Sequence, residues 1–412
     1  MHKLTLIGSL SAIALAGSFL LLTAQTKKTW TDAEVMKIHK QAYLLDMHND
    51  SPMFTVTGKN FSERGSGQHS DAVRMKEGGV GGTFFAAYVP AIYVATNASA
   101  HQALRAIDTI KEDIWKKYAA QFNWADSTSS ILANKKAGKM SALIGIEGGH
   151  AIEDDVRLLR RFYELGARYM TLTWSNTNNW CDSSGDINNP KVKHWGGLNE
   201  LGRSIVLEMN RLGMMVDISH VSDAAFWAAL EASKAPVIAS HSSCRALCDA
   251  GRNMTDDMIR GLAKKDGVIA INFSCDFLSQ KAKDANPMNR PEVIVERDRI
   301  MKEIPDPKEA MQQIRALTAK FRGQARRSTL QDVVDHIDHV VKLVGVNHVA
   351  IGSDFDGVGC TPEGLDDTSK FPNLTRALLE KGYTPQMIDK IYSGNVLRVF
   401  AQVEQTAASM KK

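Results

Sequence analysis

The chain has 412 residues, 44% of them hydrophobic and 23% charged, the balance of an ordinary globular protein rather than a disordered one. That length is enough for a large core. The net charge of +4 comes in part from Lys3, Lys411 and Lys412 at the chain ends, and no Lys/Arg stripe with interleaved aromatics is present, so no nucleic-acid partner is expected.

Residues 1–24 read as a signal peptide: Lys3 supplies the positive start, Leu4 to Leu22 the apolar stretch, and Leu22-Thr23-Ala24 a cleavage site. The apolar stretch is longer than most signal cores, so membrane attachment through an uncleaved segment is the alternative. Either way the body, 25–412, is expected to be exported, to a periplasmic or extracellular location.

Residues 26–40 are polar and lead into a short helix from Asp32. Eight apolar runs then follow: Tyr43–Met47, Thr83–Val89, Ala142–Ile146, Tyr169–Thr173, Met214–Ile218, Val237–Ser240, Val268–Phe273 and Val349–Gly352. Short runs of this kind suit strands buried on both faces. Helical spacing appears between most of them, at Ser99–Tyr118, Val156–Leu165, Leu198–Leu212, Ala224–Ser233, Asp256–Ala263 and Leu330–Leu343. Ser222 and Thr255 stand where N-caps belong. Alternation of this kind predicts an α/β protein, a (β/α)8 TIM-like barrel, with a doubly wound sheet as runner-up. Residues 276–326, charged and with four prolines, break the alternation. They are expected as an insertion after the seventh run: a surface elaboration, a subunit contact or a lid. Asn373–Lys381 and Pro385–Val403 follow as closing helices. With no internal repeat and no low-complexity linker, 25–412 reads as one domain.

The five cysteines, Cys181, Cys244, Cys248, Cys275 and Cys360, lack C-x-x-C spacing. Export permits one or two disulfides, and Cys248 with Cys275 would link neighbouring loops.

The ends of the apolar runs carry ligand-type residues. The first ends in His48 and Asp50, the third in Glu147-Gly148-Gly149-His150, the fifth in Asp217-Ile218-Ser219-His220, the sixth in Ser240-His241 and the eighth in Ser353-Asp354. In an extended chain His48 and Asp50, two apart, share a face. Each feature alone has a plain explanation: a turn, a cap or a loop histidine. Their concurrence matters, because a barrel gathers all its strand C-termini at one face. Nitrogen and carboxylate donors converging there suit a divalent metal. No G-x-S-x-G elbow accompanies His241, which argues against serine hydrolase chemistry.

The texts H-N-D-S-P (48–52), V-G-G-T-F-F-A-A-Y (80–88), G-I-E-G-G-H (145–150), R-Y-M-T-L-T (168–173), R-L-G-M-M-V-D-I-S-H-V-S (211–222), S-H-S-S (240–243), G-R-N-M-T-D-D (251–257), I-G-S-D-F-D-G (351–357) and G-N-V-L-R-V-F (394–400) resemble the membrane (renal) dipeptidase family of zinc peptidases, among the amidohydrolase-like barrels. The resemblance implies two zinc ions, one held by His48 and Asp50, the other by His220 and His241, with Glu147 bridging them. It implies attack by a metal-bridging hydroxide, Asp354 as the acid/base carboxylate and Arg252 as the partner of the substrate's C-terminal carboxylate. It further implies dipeptide substrates, tolerance of a D-residue at their C-terminal position, and a homodimer. One departure stands out. The family's fourth strand ends in Thr-Leu-Thr-His, whereas this chain reads Thr171-Leu172-Thr173-Trp174, and an indole can only donate. Trp174 therefore leaves room for a metallo-amidohydrolase acting on another small amide or lactam. A non-catalytic binding relative is the third reading, opposed by the intact ligand set and Asp354.

Overall fold

The computed structural model of the protein describes residues 28–411 apart from Ser66, Arg322, Gly323 and Ala325; the expected signal peptide lies outside them. Among the described residues nine parallel strands form the sheet: β1 (Leu45–Asn49), β2 (Gly82–Tyr88), β3 (Phe122–Trp124), β4 (Met140–Glu147), β5 (Ala167–Thr171), β6 (Met215–Asp217), β7 (Ile238–Ser242), β8 (Val268–Ile271) and β9 (Val349–Ile351). Their order is β2-β1-β9-β8-β7-β6-β5-β4-β3, and β2 also pairs with β4. Eight strands thus close a ring, the (β/α)8 barrel anticipated from the alternation. The ninth, β3, is a three-residue strand that pairs only with the start of β4, below the point where β5 joins. It was not legible as a run because three residues between helical patterns carry too little periodicity.

The core has two parts, as barrel geometry requires. Leu45, Met47, Phe84, Leu143 and Tyr169 pack with Val396, Val399 and Phe400 of the C-terminal helix Asn395–Met410. Leu44, Phe85, Ile144, Val216 and Ile351 pack in a second cluster with residues of the surrounding helices such as Ile205 and Ile337. Those helices are locally encoded: the hydroxyls of Ser222 and Thr255 accept from the backbone N–H of Ala225 and Met258, capping Asp223–Ala232 and Asp256–Lys264. The helix that starts at Ser99 continues in wider turns over Ile110–Lys116.

Between β8 and β9, helices Pro291–Glu303 and Pro307–Ala319 build a small apolar cluster of their own. Val293, Ile300, Ala310 and Leu317 pack there on Ile92, which follows β2. The disulfide joins Cys275 to Cys360, not to Cys248. Cys275 follows β8 and Cys360 follows β9, and these neighbouring strands hold the two residues close enough for the Cys275 N–H to donate to the Cys360 carbonyl (3.2 Å). The long insertion between them hid this proximity. The Cys248 thiol instead donates to the Asp276 carbonyl at 3.2 Å. Among the described residues no helix is long and apolar enough to cross a membrane.

Two buried histidines knit the outer layer: His39 Nδ1 meets Thr375 Oγ1 at 2.7 Å, and His336 joins helix Leu330–Val344 to residues that follow β7 and β8. His336 Nδ1 accepts from the Cys244 N–H and its Nε2 donates to the Leu278 carbonyl, both at 3.0 Å, which fixes a neutral imidazole. Burial pushes His336 and His39 down to about 4. Because these values lie below the unfolded value of about 6.5, the unfolded chain binds more protons between the two. Their contribution is complete above about pH 6.5 and is lost as pH falls towards 4, at up to ~1.4 kcal/mol per pH unit for each residue. Urea unfolding at pH 7.5 and 5.0 should show a clear loss of stability at the lower pH, and a smaller loss for His336→Gln. Equal losses would remove His336 from the account.

Candidate metal centre

The residues singled out in the sequence meet at the C-terminal mouth of the barrel. Reaching that mouth requires a departure from regular pleating. Leu45 and Met47 belong to the same apolar cluster as Tyr169, so strict alternation would turn His48 away from it. The register of β1 against β2 shifts between Asp46 and Asn49, and His48 comes round to meet the Tyr169 hydroxyl at 2.8 Å. The register of β7 against β8 shifts likewise between Ala239 and Ser242, around His241. Irregularities of this kind re-aim side chains at barrel rims. Asp50 sits beyond the strand, at the start of helix Ser51–Thr55, with ψ of 14°. It joins His48 through this turn and not through an extended backbone.

Glu147 lies at the centre. Its Oε2 is 3.4 Å from His48 Nε2, while its Oε1 is 3.0 Å from His220 Nε2 and 3.6 Å from His241 Nε2. Asp50 Oδ2 is 3.3 Å from His48 Nε2. Two overlapping triads, His48–Glu147–His241 and His48–Asp50–Asp354, each place ligand atoms within 4.8 Å of one another, all buried. Asp354 thus stands beside the cluster as well as behind it. Its backbone N–H donates to the His48 carbonyl (3.0 Å), and Asn272 Nδ2 donates to its Oδ2 (2.7 Å). Asp354 and His220 hold φ of 59° and 67°, left-handed conformations that cost of order 1–2 kcal/mol each and that collect at functional sites.

Supporting residues fix which nitrogen of His48 and of His241 is bare, whereas His220 Nδ1 is buried without a hydrogen-bond partner. The Tyr169 hydroxyl donates to the Met47 carbonyl at 3.1 Å, so its oxygen accepts from His48 Nδ1–H. Ser240 Oγ donates to Asp217 Oδ2 at 2.6 Å, so it accepts from His241 Nδ1–H at 2.7 Å. In both rings the lone pair is therefore on Nε2, the atom turned into the cluster. The Nε2 atoms of His220 and His241 are 3.0 Å apart, and His48 Nε2 is buried with no hydrogen-bond partner. His48 and His241 thus turn acceptors towards the carboxylates of Glu147 and Asp50, an arrangement that positive charge stabilises.

The electrostatics agree. Burial pushes Asp354 well above the ordinary carboxylate range, and the facing Asp50 adds to the rise; burial and Glu147 likewise raise Asp50. Burial works against a charged Glu147, but His48 and His220 hold it well below that range. Burial, reinforced by the Arg252 charge, takes His220 down to about 4 and His241 well below the usual imidazole value, leaving both neutral as ligands require. His48, which burial opposes, is held high by Tyr169, Asp50 and Glu147; its Nε2 is the atom that takes either a proton or a cation. Gly357 keeps the space open: a Cβ there would come within 2.3 Å of both Asp354 Oδ1 and Asp50 Oδ2.

Arg252 reaches the same mouth. Its Nη2 donates to the His241 carbonyl at 3.0 Å and its Nη1 to Ser242 Oγ at 3.4 Å. Burial lowers it to about 10, so it stays cationic at neutral pH. Trp174 is half-buried, with ring centroids 5.1 Å from Tyr88 and 6.3 Å from His220. His150 lies aside, its Nε2 on the Val89 carbonyl at 2.9 Å.

Sequence reasoning missed a layer of supporting residues. Asp217 accepts from the Ser240 N–H and hydroxyl and from the Thr171 hydroxyl. Asp46 accepts from the Ser353 N–H and hydroxyl. The same aspartate–serine clamp thus joins β6 to β7 and β1 to the end of β9. A carboxylate within an apolar run was the available signal.

A parallel barrel whose strand ends gather imidazoles and carboxylates into one buried cluster defines a metal-dependent barrel enzyme. The description of the membrane dipeptidase family (peptidase family M19) matches residues 32–412, and the chain belongs to that family of metallopeptidases. It is 35% identical over 397 residues to the dipeptidase verJ of Clonostachys rogersoniana, covering 92% of this chain and 89% of that one. The probable dipeptidase PvdM of Pseudomonas aeruginosa shares the fold with a TM-score of 0.77 at 24% identity, over 91% of this chain and 99% of that one. So does a metallo peptidase of Rhodobacter sphaeroides liganded with a phosphinate mimic of the dipeptide L-Ala-D-Ala, with a TM-score of 0.68 at 24% identity over 87% and 99%.

Tyr169→Phe removes the acceptor that orients His48. Competition with a chelator should show divalent-metal affinity falling about 10–100-fold; an unchanged affinity would mean that the tautomer is set elsewhere.

Proposed function

We propose that this metallopeptidase hydrolyses dipeptides with two zinc ions bridged by Glu147. The observation that carries the reading is the division of labour within one carboxylate: Oε2 faces His48, and Oε1 faces His220 and His241. His48 and Asp50 would hold one ion, His220 and His241 the other. Mixed nitrogen and oxygen donors with bare Nε2 lone pairs suit zinc. Such a pair of ions supplies an acidified water, the hydroxide of the family mechanism, and Lewis-acid charge for a developing oxyanion.

The chain's own residues do the rest. Arg252 pairs with the substrate's C-terminal carboxylate, a match for a planar guanidinium. Asp354, steadied by Asn272 and raised by burial and by Asp50, takes a proton from the attacking water and returns it to the departing amine. Tolerance of a D-residue at the C-terminal position is supported by the L-Ala-D-Ala mimic bound to the Rhodobacter sphaeroides relative. A second reading, hydrolysis of another small amide or lactam, is favoured by Trp174. Its indole stands near His220 at the end of β5 and cannot accept a proton.

Elemental analysis should find two zinc ions per chain, and a panel including Gly-D-Ala should be hydrolysed. Asp354→Asn should keep zinc and lose kcat by about 10²–10⁴-fold; an unchanged kcat would take the proton-transfer role from Asp354. Arg252→Ala should weaken free dipeptides by more than 10-fold, roughly the 1.5–3 kcal/mol of a charged hydrogen bond, and amidated ones much less. Equal losses would end that assignment.

A further inference from the structure

Beside the metal centre lies a cavity of about 440 Å³ that the ligand set does not use, lined by Pro52, Met53, Val56, Tyr88, Tyr93 and Met311 among others. Its volume falls within the range of small-ligand pockets, roughly 300–1,000 Å³. Three features tie it to the reaction. Pro52 and Met53 stand on helix Ser51–Thr55, directly after Asp50. Tyr88 is the register partner of Glu147 across β2 and β4. The Tyr88 ring also packs edge-on against Trp174, which continues towards His220.

The position around the ring gives the cavity its meaning. Arg252 is anchored on β7, through the His241 carbonyl and the Ser242 hydroxyl. Counting around the closed barrel, β2 is four strands from β7 in either direction. A dipeptide whose carboxylate is held at β7 and whose peptide bond lies over Glu147 therefore extends its amino-terminal residue towards β2. We infer that this cavity receives the side chain of the amino-terminal residue and selects large apolar ones, such as leucine, methionine and phenylalanine. The inference rests on the dipeptidase reading and names its substrate class.

The lining suits that role. Proline, valine, two tyrosine rings and two methionines offer apolar contact, and the flexible thioethers adapt to more than one shape. Met311 comes from helix Pro307–Ala319 of the insertion and Tyr93 from the segment after β2, next to Ile92 in the insertion's apolar cluster. The insertion thereby contributes a wall to the site. The exposed Arg105 and the buried Gln102, on helix Ser99–Thr109, add the polar part of the lining.

The test is the ratio of kcat/KM for Leu-Ala and Phe-Ala to that for Gly-Ala, in the zinc-loaded full chain. The parent should favour the bulky substrates by about 10–100-fold, the usual worth of filling an apolar pocket. Val56→Trp and Met311→Trp fill the cavity from opposite sides of the insertion boundary, and each should collapse the ratio at least 10-fold. Met311→Ala, which enlarges it, should shift the preference towards Trp-Ala. Because each ratio is internal to one protein, a partial folding defect does not move it. A ratio that stays at the parent's value in both filled variants, while Gly-Ala is still hydrolysed, overturns the subsite and leaves the dipeptidase reading standing. A parent that hydrolyses no dipeptide overturns both.

Discussion

The mouth of the barrel is governed by a shortage of protons. Two imidazoles have their N–H committed to Tyr169 and Ser240, so what they present inward is a lone pair. The carboxylates of Glu147, Asp50 and Asp354 are turned into the same buried space. Packing acceptors against acceptors away from water is unfavourable by several kcal/mol for each uncompensated charge. Cations reverse the sign of that balance. A cation bound there would relieve the repulsion that the fold holds in place.

The rest of the fold can be understood as what holds that arrangement. Paired aspartate–serine clamps stitch β1 to β9 and β6 to β7 below the ligands. Register shifts in β1 and β7 turn His48 and His241 inward. Left-handed backbone at His220 and Asp354 is tolerated because neighbouring hydrogen bonds over-determine it. A rigid frame matters here, because a ligand displaced by an ångström loses its partner.

Much of this was legible from sequence, for a physical reason. Strands buried on both faces must be apolar, so His48, Glu147, His220, His241 and Asp354 stood out as exceptions at the ends of apolar runs. Barrel topology then required those ends to meet. What stayed hidden depended on geometry that periodicity does not carry. Strand β3 is too short to show a pattern. Cys275 and Cys360 are far apart in the chain and become neighbours only because β8 and β9 pair. Tyr169 and Asp217 sit within strands as ordinary-looking members, and their roles emerge from which atom donates to which. Asp50 illustrates a right placement reached for an incomplete reason, since a turn and not a strand carries it to His48.

The central claim is that one carboxylate serves two ions. An anomalous-difference map of zinc-loaded crystals measures this directly. The account predicts two peaks about 3.5–4 Å apart, one beside Glu147 Oε2 with His48 and Asp50, the other beside Oε1 with His220 and His241. A single peak, or two peaks of which only one touches Glu147, would contradict it.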